Sequence, residues 1–176
     1  MFGNWSTDSI VYARSAPPVN VVTGQDPFPA GQIETGAFGA VRPNLVPGVP
    51  LWIANPNVAG GREIDPAAFT IPTGAAQGDL GRNALRGFDA AEVDFALRRQ
   101  FKLHERLALQ ARADLFNIFN HPNFGSPINY LSSPQFGQST QMLGASLGTG
   151  GQSGGLNPLY QIGGPRSAQL ALKLVF

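Results

Sequence analysis

The stretch that decides the fold is AEVDFALRRQFKL, Ala91 to Leu103. Its odd positions are Ala91, Val93, Phe95, Leu97, Arg99, Phe101 and Leu103, all apolar except Arg99. Its even positions are Glu92, Asp94, Ala96, Arg98, Gln100 and Lys102, all polar except Ala96. A period of two sends alternate side chains to opposite faces, so the stretch reads as a β-strand with one apolar face. A helix needs apolar residues three and four apart, and that template puts Asp94 and Arg98 on the same stripe as Leu97.

Moving outward, His104, Glu105 and Arg106 separate this strand from LALQARADLFNIF, Leu107 to Phe119. Leu107, Leu109, Ala111, Ala113, Leu115 and Phe119 fall on one face with Asn117, and Gln110, Arg112 and Asp114 on the other. Two alternating runs joined by about three residues make a hairpin. The competing reading of this second run is an amphipathic helix, because Ala, Leu, Gln and Arg are good helix formers. The chain closes on RSAQLALKLVF, in which Ala168, Leu170, Leu172, Leu174 and Phe176 share a face with Arg166, and Ser167, Gln169 and Lys173 lie on the other with Ala171 and Val175. A fourth, weaker strand candidate runs from Trp5 to Arg14, with Ile10 and Tyr12 on its polar side.

Two long stretches without a sustained period lie between these strands, residues 24 to 88 and 120 to 164; the second holds one short strand candidate, Phe136 to Leu143. The 22 glycines and 15 prolines crowd into them. Structureless connections longer than about 12 to 15 residues are uncommon in compact domains. The charged fraction, 13%, is also about half of the roughly 25% of an ordinary soluble domain. Net charge is +1, which leaves no basic footprint for nucleic acid. The absence of cysteine excludes disulfides and thiolate sites. Apolar runs are too short for a transmembrane helix of about 20 residues. The start, MFGNWSTDSIVYARS, has neither the basic nor the apolar region of a signal peptide, so an exported form is expected to begin upstream of Met1.

Strands of 11 to 13 residues exceed the roughly 9 to 11 that a tilted transmembrane strand needs. Alternation, a short connection on one side and long ones on the other describe an outer-membrane barrel. Lipid offers the backbone no hydrogen bonds, so spanning strands must pair on both edges with their apolar face outward. On that reading Val93, Phe95, Leu97, Phe101, Leu107, Leu109, Leu115, Leu170, Leu172 and Leu174 meet lipid. Glu92, Asp94, Arg98, Gln110, Arg112, Asp114 and Lys173 face a polar lumen, with Asp94 able to pair with Arg112, or Asp114 with Arg98, across the hairpin. Arg99 is a charge on the lipid side, costing about 2 to 4 kcal/mol at the midplane and little near an interface, where its side chain can snorkel.

The run VDFALRRQFKLHERLALQARADLFNIFNHPNFG, with Gly-Pro-Arg and a last strand ending LALKLVF, resembles the end of a TonB-dependent outer-membrane receptor. The likeness is greatest to receptors with a carboxypeptidase-regulatory-like N-terminal domain. Asn117-Ile118-Phe119-Asn120 matches the family's motif after the penultimate strand, and DPAAF (Asp65 to Phe69) and GDLGRNALRG (Gly78 to Gly87) match features upstream. The resemblance implies an all-β fold made of the last four antiparallel strands of an incomplete transmembrane barrel in the bacterial outer membrane. It makes 24 to 88 and 120 to 164 extracellular and His104 to Arg106 a periplasmic turn. It implies that Leu170, Leu172, Leu174 and Phe176 form the signal read by the barrel-assembly machinery. The implied partners are outer-membrane lipid, the remaining strands and plug of the same receptor and, through that plug, the TonB complex. Neither plug nor coupling box lies within these residues, so the chain is expected to be a receptor fragment.

Chemistry of other kinds has little purchase. The glycine run Gly148 to Gly155 lacks the Lys-Ser/Thr of a phosphate loop. His104 and His121 lack metal-site spacing and read as turn residues. No GxSxG holds a nucleophile. No catalytic residue, cofactor or metal is expected, and the chain is not read as an enzyme. The alternative to the receptor segment is a soluble secreted all-β binding module with long recognition loops. The two differ in whether the apolar faces of 93 to 103 and 166 to 176 pack into a core or form one uncovered band.

Overall fold

A computed structural model of the protein describes residues 3–24, 41–73, 76–147 and 163–176. The glycine run Gly148 to Gly155 lies outside them. In chain order the strands are β1 (Trp5–Arg14), β2 (Pro18–Val19), β3 (Asn44–Leu45), β4 (Trp52–Ala54), β5 (Arg62–Ile64), β6 (Phe69–Thr70), β7 (Leu85–Arg86), β8 (Ala90–His104), β9 (Leu107–Phe116) and β10 (Ser167–Val175). Single 3₁₀ turns occupy Ala59–Gly61 and Pro66–Ala68, and one short helix, α1, spans Leu143–Ser146. The chain divides into two compact units: 1–15, 89–123 and 142–176 form one, and 16–88 and 124–141 the other.

The first unit is a four-stranded antiparallel sheet in the order β1-β8-β9-β10. Ala13 faces Ala91, Phe95 faces Leu115 and Leu115 faces Ala168 across neighbouring strands, which fixes one continuous register. The alternation that defines β8 is therefore in phase across β8, β9 and β10, as burial or exposure of one whole face requires, while β1 sets Ile10 and Tyr12 on the polar face, opposite Asp94 and Glu92. β8 and β9 meet at a two-residue turn, Glu105 and Arg106, with a register irregularity between Lys102 and His104. Both long connections leave the sheet from its other end, because Arg14 pairs with Ala90 and Phe116 with Ser167.

Several boundaries differ from the sequence reading. The second run is a strand and not a helix, since its alternation matches partners on both sides. It stops at Phe116, three residues before the expected end, because Asn117 turns the chain with a φ of 47°. β1 keeps the expected bounds and ends at Arg14: Pro17 and Pro18 follow and cannot donate to a ladder. The short strand expected at Phe136 to Leu143 does not form. Phe136 enters a core instead, and the chain turns before α1.

The second unit shows what the patternless stretches are for. Three short ladders, β2 with β7, β3 with β6 and β4 with β5, enclose a core of Val19, Val21, Ile64, Ala68, Phe69, Leu80, Leu85 and Phe136. Each fully buried aliphatic side chain here contributes about 1.5 to 3 kcal/mol relative to exposure. The two sequence features upstream of β8 supply the joints. Asp65 caps its 3₁₀ turn by accepting the Ala67 N–H at 2.8 Å, which delivers Phe69 edge-on to the Phe136 ring. Asp79 accepts the Leu45 N–H at 2.7 Å and its own N–H donates to Asn44 Oδ1 at 3.1 Å, so that Leu80 and Leu85 point inward. At Gly78 a Cβ would collide with the Pro43 backbone, and at Gly137, with φ +80°, it would collide with that of Ile64. Glycine is required at both by close approach of main chain to main chain.

Candidate functional site

The sheet of the first unit presents two chemically opposite faces. On the first, Val11, Val93, Phe95, Leu97, Phe101, Leu109, Leu115, Leu170, Leu172 and Leu174 lie in register. Among the described residues no core forms over them: Leu170 is 80% exposed, Leu172 75% and Val11 70%, and Val93, Phe95, Leu97 and Leu109 are part-exposed. The odd-numbered residues of 93 to 103 and the even-numbered residues of 166 to 176 thus form one open band and not a core. A patch of this extent marks an interface with a partner or a membrane. Arg99, the one charge in the band, has its guanidinium 4.8 Å from the Trp5 ring centre and 4.6 Å from that of Phe101.

The opposite face carries Glu92, Asp94, Arg98, Arg112 and Asp114 together, with Asp8, Gln110, Gln169 and Lys173. The register sets Arg98 directly across from Arg112. Like charges so placed repel, and each is neutralised by a carboxylate. Arg98 is ion-paired to Asp8 of β1, and Arg112 Nε donates to Asp114 on its own strand at 2.8 Å. The pairs expected across the hairpin, Asp94 with Arg112 and Asp114 with Arg98, are replaced by these, because Ala96 and not Arg98 faces Asp114. A hollow of about 170 Å³ lies among Asp8, Ile10, Asp94, Arg98, Arg112 and Asp114.

Glu92 and Asp94 have a different task. Both are buried at the end of the sheet from which the long connections leave, and they accept backbone donors from those connections. Asp94 Oδ1 accepts the Asn117 N–H at 2.9 Å, and Glu92 Oε2 accepts the Gly163 N–H at 2.6 Å. Asn117, 2% exposed, donates from Nδ2 to the carbonyls of His121 (2.9 Å) and Gly164 (2.7 Å), and its Oδ1 accepts the His121 N–H at 3.0 Å. Asn123 exchanges two hydrogen bonds with the Ala91 backbone, at 2.8 and 3.0 Å, and Asn120 Oδ1 accepts the Arg166 N–H at 3.0 Å. NIFNHPN is therefore a clasp that joins the start of β8, the end of β9 and the start of β10. Asparagine serves because it tolerates the left-handed region, here at Asn117 and Asn120, while its amide bonds backbone groups.

Residues 1–149 match the family model described as an outer membrane beta barrel domain. The chain belongs to that family. Neither a curated protein nor a solved structure matches it. The barrel domain is an all-β partial barrel of the bacterial outer membrane, and such a barrel associates with membrane lipid. Among the described residues no helix is long and apolar enough to cross a bilayer. The soluble binding-module alternative is set aside by the family and by the uncovered band.

In this barrel domain Leu170, Leu172 and Leu174 lie on the apolar face of β10, and Phe176 follows that strand, 92% exposed. Among the described residues β10 pairs only with β9 and β1 only with β8, leaving two free edges that closure must satisfy. The clasp was beyond sequence reasoning in its detail. His121, expected as a simple turn residue, gives its backbone to Asn117, and its ring Nδ1 lies 3.1 Å from Asn123 Oδ1. The available signal was the density of Asn around a His-Pro, which marks a turn but not its partners.

Proposed function

We propose that the barrel domain works as the closing segment of a TonB-dependent receptor, of the subset with a carboxypeptidase-regulatory-like N-terminal domain, in the uptake of a substrate across the outer membrane. The observation that carries this reading is the pairing of an uncovered apolar band with an opposite face of compensated charges, in a chain whose NIFN, DPAAF and GDLGRNALRG features stand in the receptors' order. Glu92, Asp94, Arg98, Arg112 and Asp114 then line the lumen. Leu170, Leu172, Leu174 and Phe176 present the terminal strand to the barrel-assembly machinery. The stretches 24 to 88 and 120 to 164 are extracellular and face the ligand. The remaining strands and a plug close the barrel, and the plug engages the TonB complex. The role is transport, without catalysis, cofactor or metal.

The absence of native cysteine makes the topology directly testable. Asn57→Cys and Gln135→Cys, both at exposed positions, are expected to react with an impermeant maleimide on intact cells. Glu105→Cys, in the hairpin turn, is expected to react only after the outer membrane is permeabilised. Labelling of the turn from outside would invert the topology and remove the reading. The receptor assignment is tested separately: the protein purified from outer membranes is expected to retain the periplasmic domain of TonB on a column, and failure to do so would leave a barrel of another kind.

A further inference from the structure

The lipid face of the sheet is not uniform. Ala111 lies between Arg99 and Leu172 on the neighbouring strands, and Ala113 between Leu97 and Leu170. Two small residues flanked on both sides by long ones make a trough, and a hollow of about 520 Å³ follows it. That volume is within the range of about 300 to 1,000 Å³ of small-molecule sites. Trp5, Arg99 and Phe101 line it as well.

Arg99 is unlike the other two arginines of the sheet's middle. Arg98 and Arg112 each hold a carboxylate, whereas Arg99 has neither ion pair nor hydrogen bond among the described residues. Its contacts are the two aromatic rings. Stacking occupies the faces of a guanidinium and leaves its edge, a planar fork of N–H donors, free for a bidentate acceptor such as phosphate. A lone cation on a lipid-facing surface is costly unless it reaches the interface or finds a counter-charge. Its lean over Phe101 takes it toward the hairpin turn, the end of the sheet where an interface would lie.

We propose that this trough is a binding site for an anionic glycerophospholipid, with an acyl chain lying over Ala111 and Ala113 and the headgroup phosphate held by Arg99 between Trp5 and Phe101. The complementarity has two parts, an apolar channel for the chain and one unpaired guanidinium for the phosphate. The site needs only the outer-membrane barrel fold and stands whether or not the protein is a TonB-dependent receptor.

Trp5 and Trp52 are the two tryptophans, so Trp52→Phe leaves Trp5 as a reporter at the site. The protein carrying that change is reconstituted into phosphatidylcholine vesicles containing either brominated phosphatidylglycerol or brominated phosphatidylcholine. Quenching of Trp5 is expected at about fivefold lower content of the anionic lipid, the ratio that about 1 kcal/mol per basic residue near a membrane corresponds to. Arg99→Gln is expected to abolish the preference. Ala113→Leu fills the trough while leaving Arg99 in place, and is expected to weaken the preference as well. That variant keeps the test decisive if Arg99→Gln does not insert. Equal quenching by the two lipids, or a preference unchanged in either inserted variant, overturns the proposal; the second result would mean that general surface charge attracts the lipid.

Discussion

Replacing Asn117 by alanine tests the clasp most sharply. The substitution removes three hydrogen bonds, to the carbonyls of His121 and Gly164 and from the His121 N–H, at 2.7 to 3.0 Å. Leaving three such groups without partners costs about 1 kcal/mol each at the low end of the range for buried groups. Alanine at a φ of 47° adds about 1 kcal/mol or somewhat more, from the clash of Cβ with the following carbonyl. The sum is about 4 kcal/mol, which opens the segment nearly a thousandfold more often, up to a ceiling set by the stability of the surrounding sheet. Asn117→Gly loses the hydrogen bonds but not the backbone conformation, so it should cost about 3 kcal/mol, or roughly 150-fold. The assay is amide hydrogen exchange of the segments 117–123 and 163–166 in the membrane-inserted protein, read by mass spectrometry. Alanine and glycine variants are both expected to exchange at least a hundredfold faster there, alanine the faster, with the 107–111 part of β9 little changed. Exchange in the alanine variant within about threefold of the parent would refute the clasp. A glycine variant no better than alanine would refute the backbone part of the argument.

Three further outcomes follow from the same geometry. Leu172→Arg on the open band should cost about 2 to 4 kcal/mol if the position lies near the bilayer midplane, lowering the heat-modifiable folded fraction on a cold gel, while Lys173→Arg next to it should be neutral. Asp8→Asn should destabilise more than Arg98→Gln, because it leaves Arg98 facing Arg112 without a counter-charge; a double-mutant cycle in urea should return a coupling of about 0.2 to 1 kcal/mol, and zero coupling would make the pair incidental. Gly137→Ala should loosen the second unit by about 1 to 3 kcal/mol or more and speed tryptic cleavage at Arg62 and Arg86, whereas Gly48→Ala, with the same φ of +80° but open space around it, should cost only the backbone part.

Three of the four long strands were legible because a period of two is a local property, and β1, where Ile10 and Tyr12 break it, was the weaker one. Each residue's face follows from its neighbours in the chain, and an apolar face that must meet lipid leaves a strong imprint on β8, β9 and β10. The strand ends were less so. Asn117 ends β9 through a backbone angle, and the Pro17-Pro18 pair ends β1 by removing donors, signals that are visible in sequence but weaker than alternation. The five charged residues share one face of the sheet, yet their partners were not legible, since pairing depends on register. With Ala96 across from Asp114, and Arg98 across from Arg112, the carboxylate that reaches Arg98 comes from β1, some ninety positions away.

By itself the sequence determined that this protein is built on long strands with one apolar and one polar face; whether a membrane or a core receives the apolar side was left to the structure and the family. Tertiary structure alone decided that the stretches around those strands are not loops in the ordinary sense. Val19, Ile64, Leu80, Leu85 and Phe136 have no common period because each arrives from a different short ladder or turn, and only their meeting makes them a core. The same holds for Asn117 and for Arg99: one is a clasp and the other a lone guanidinium over two rings because of what folding brings beside them, and a side chain's neighbours across space are not written in its neighbours along the chain.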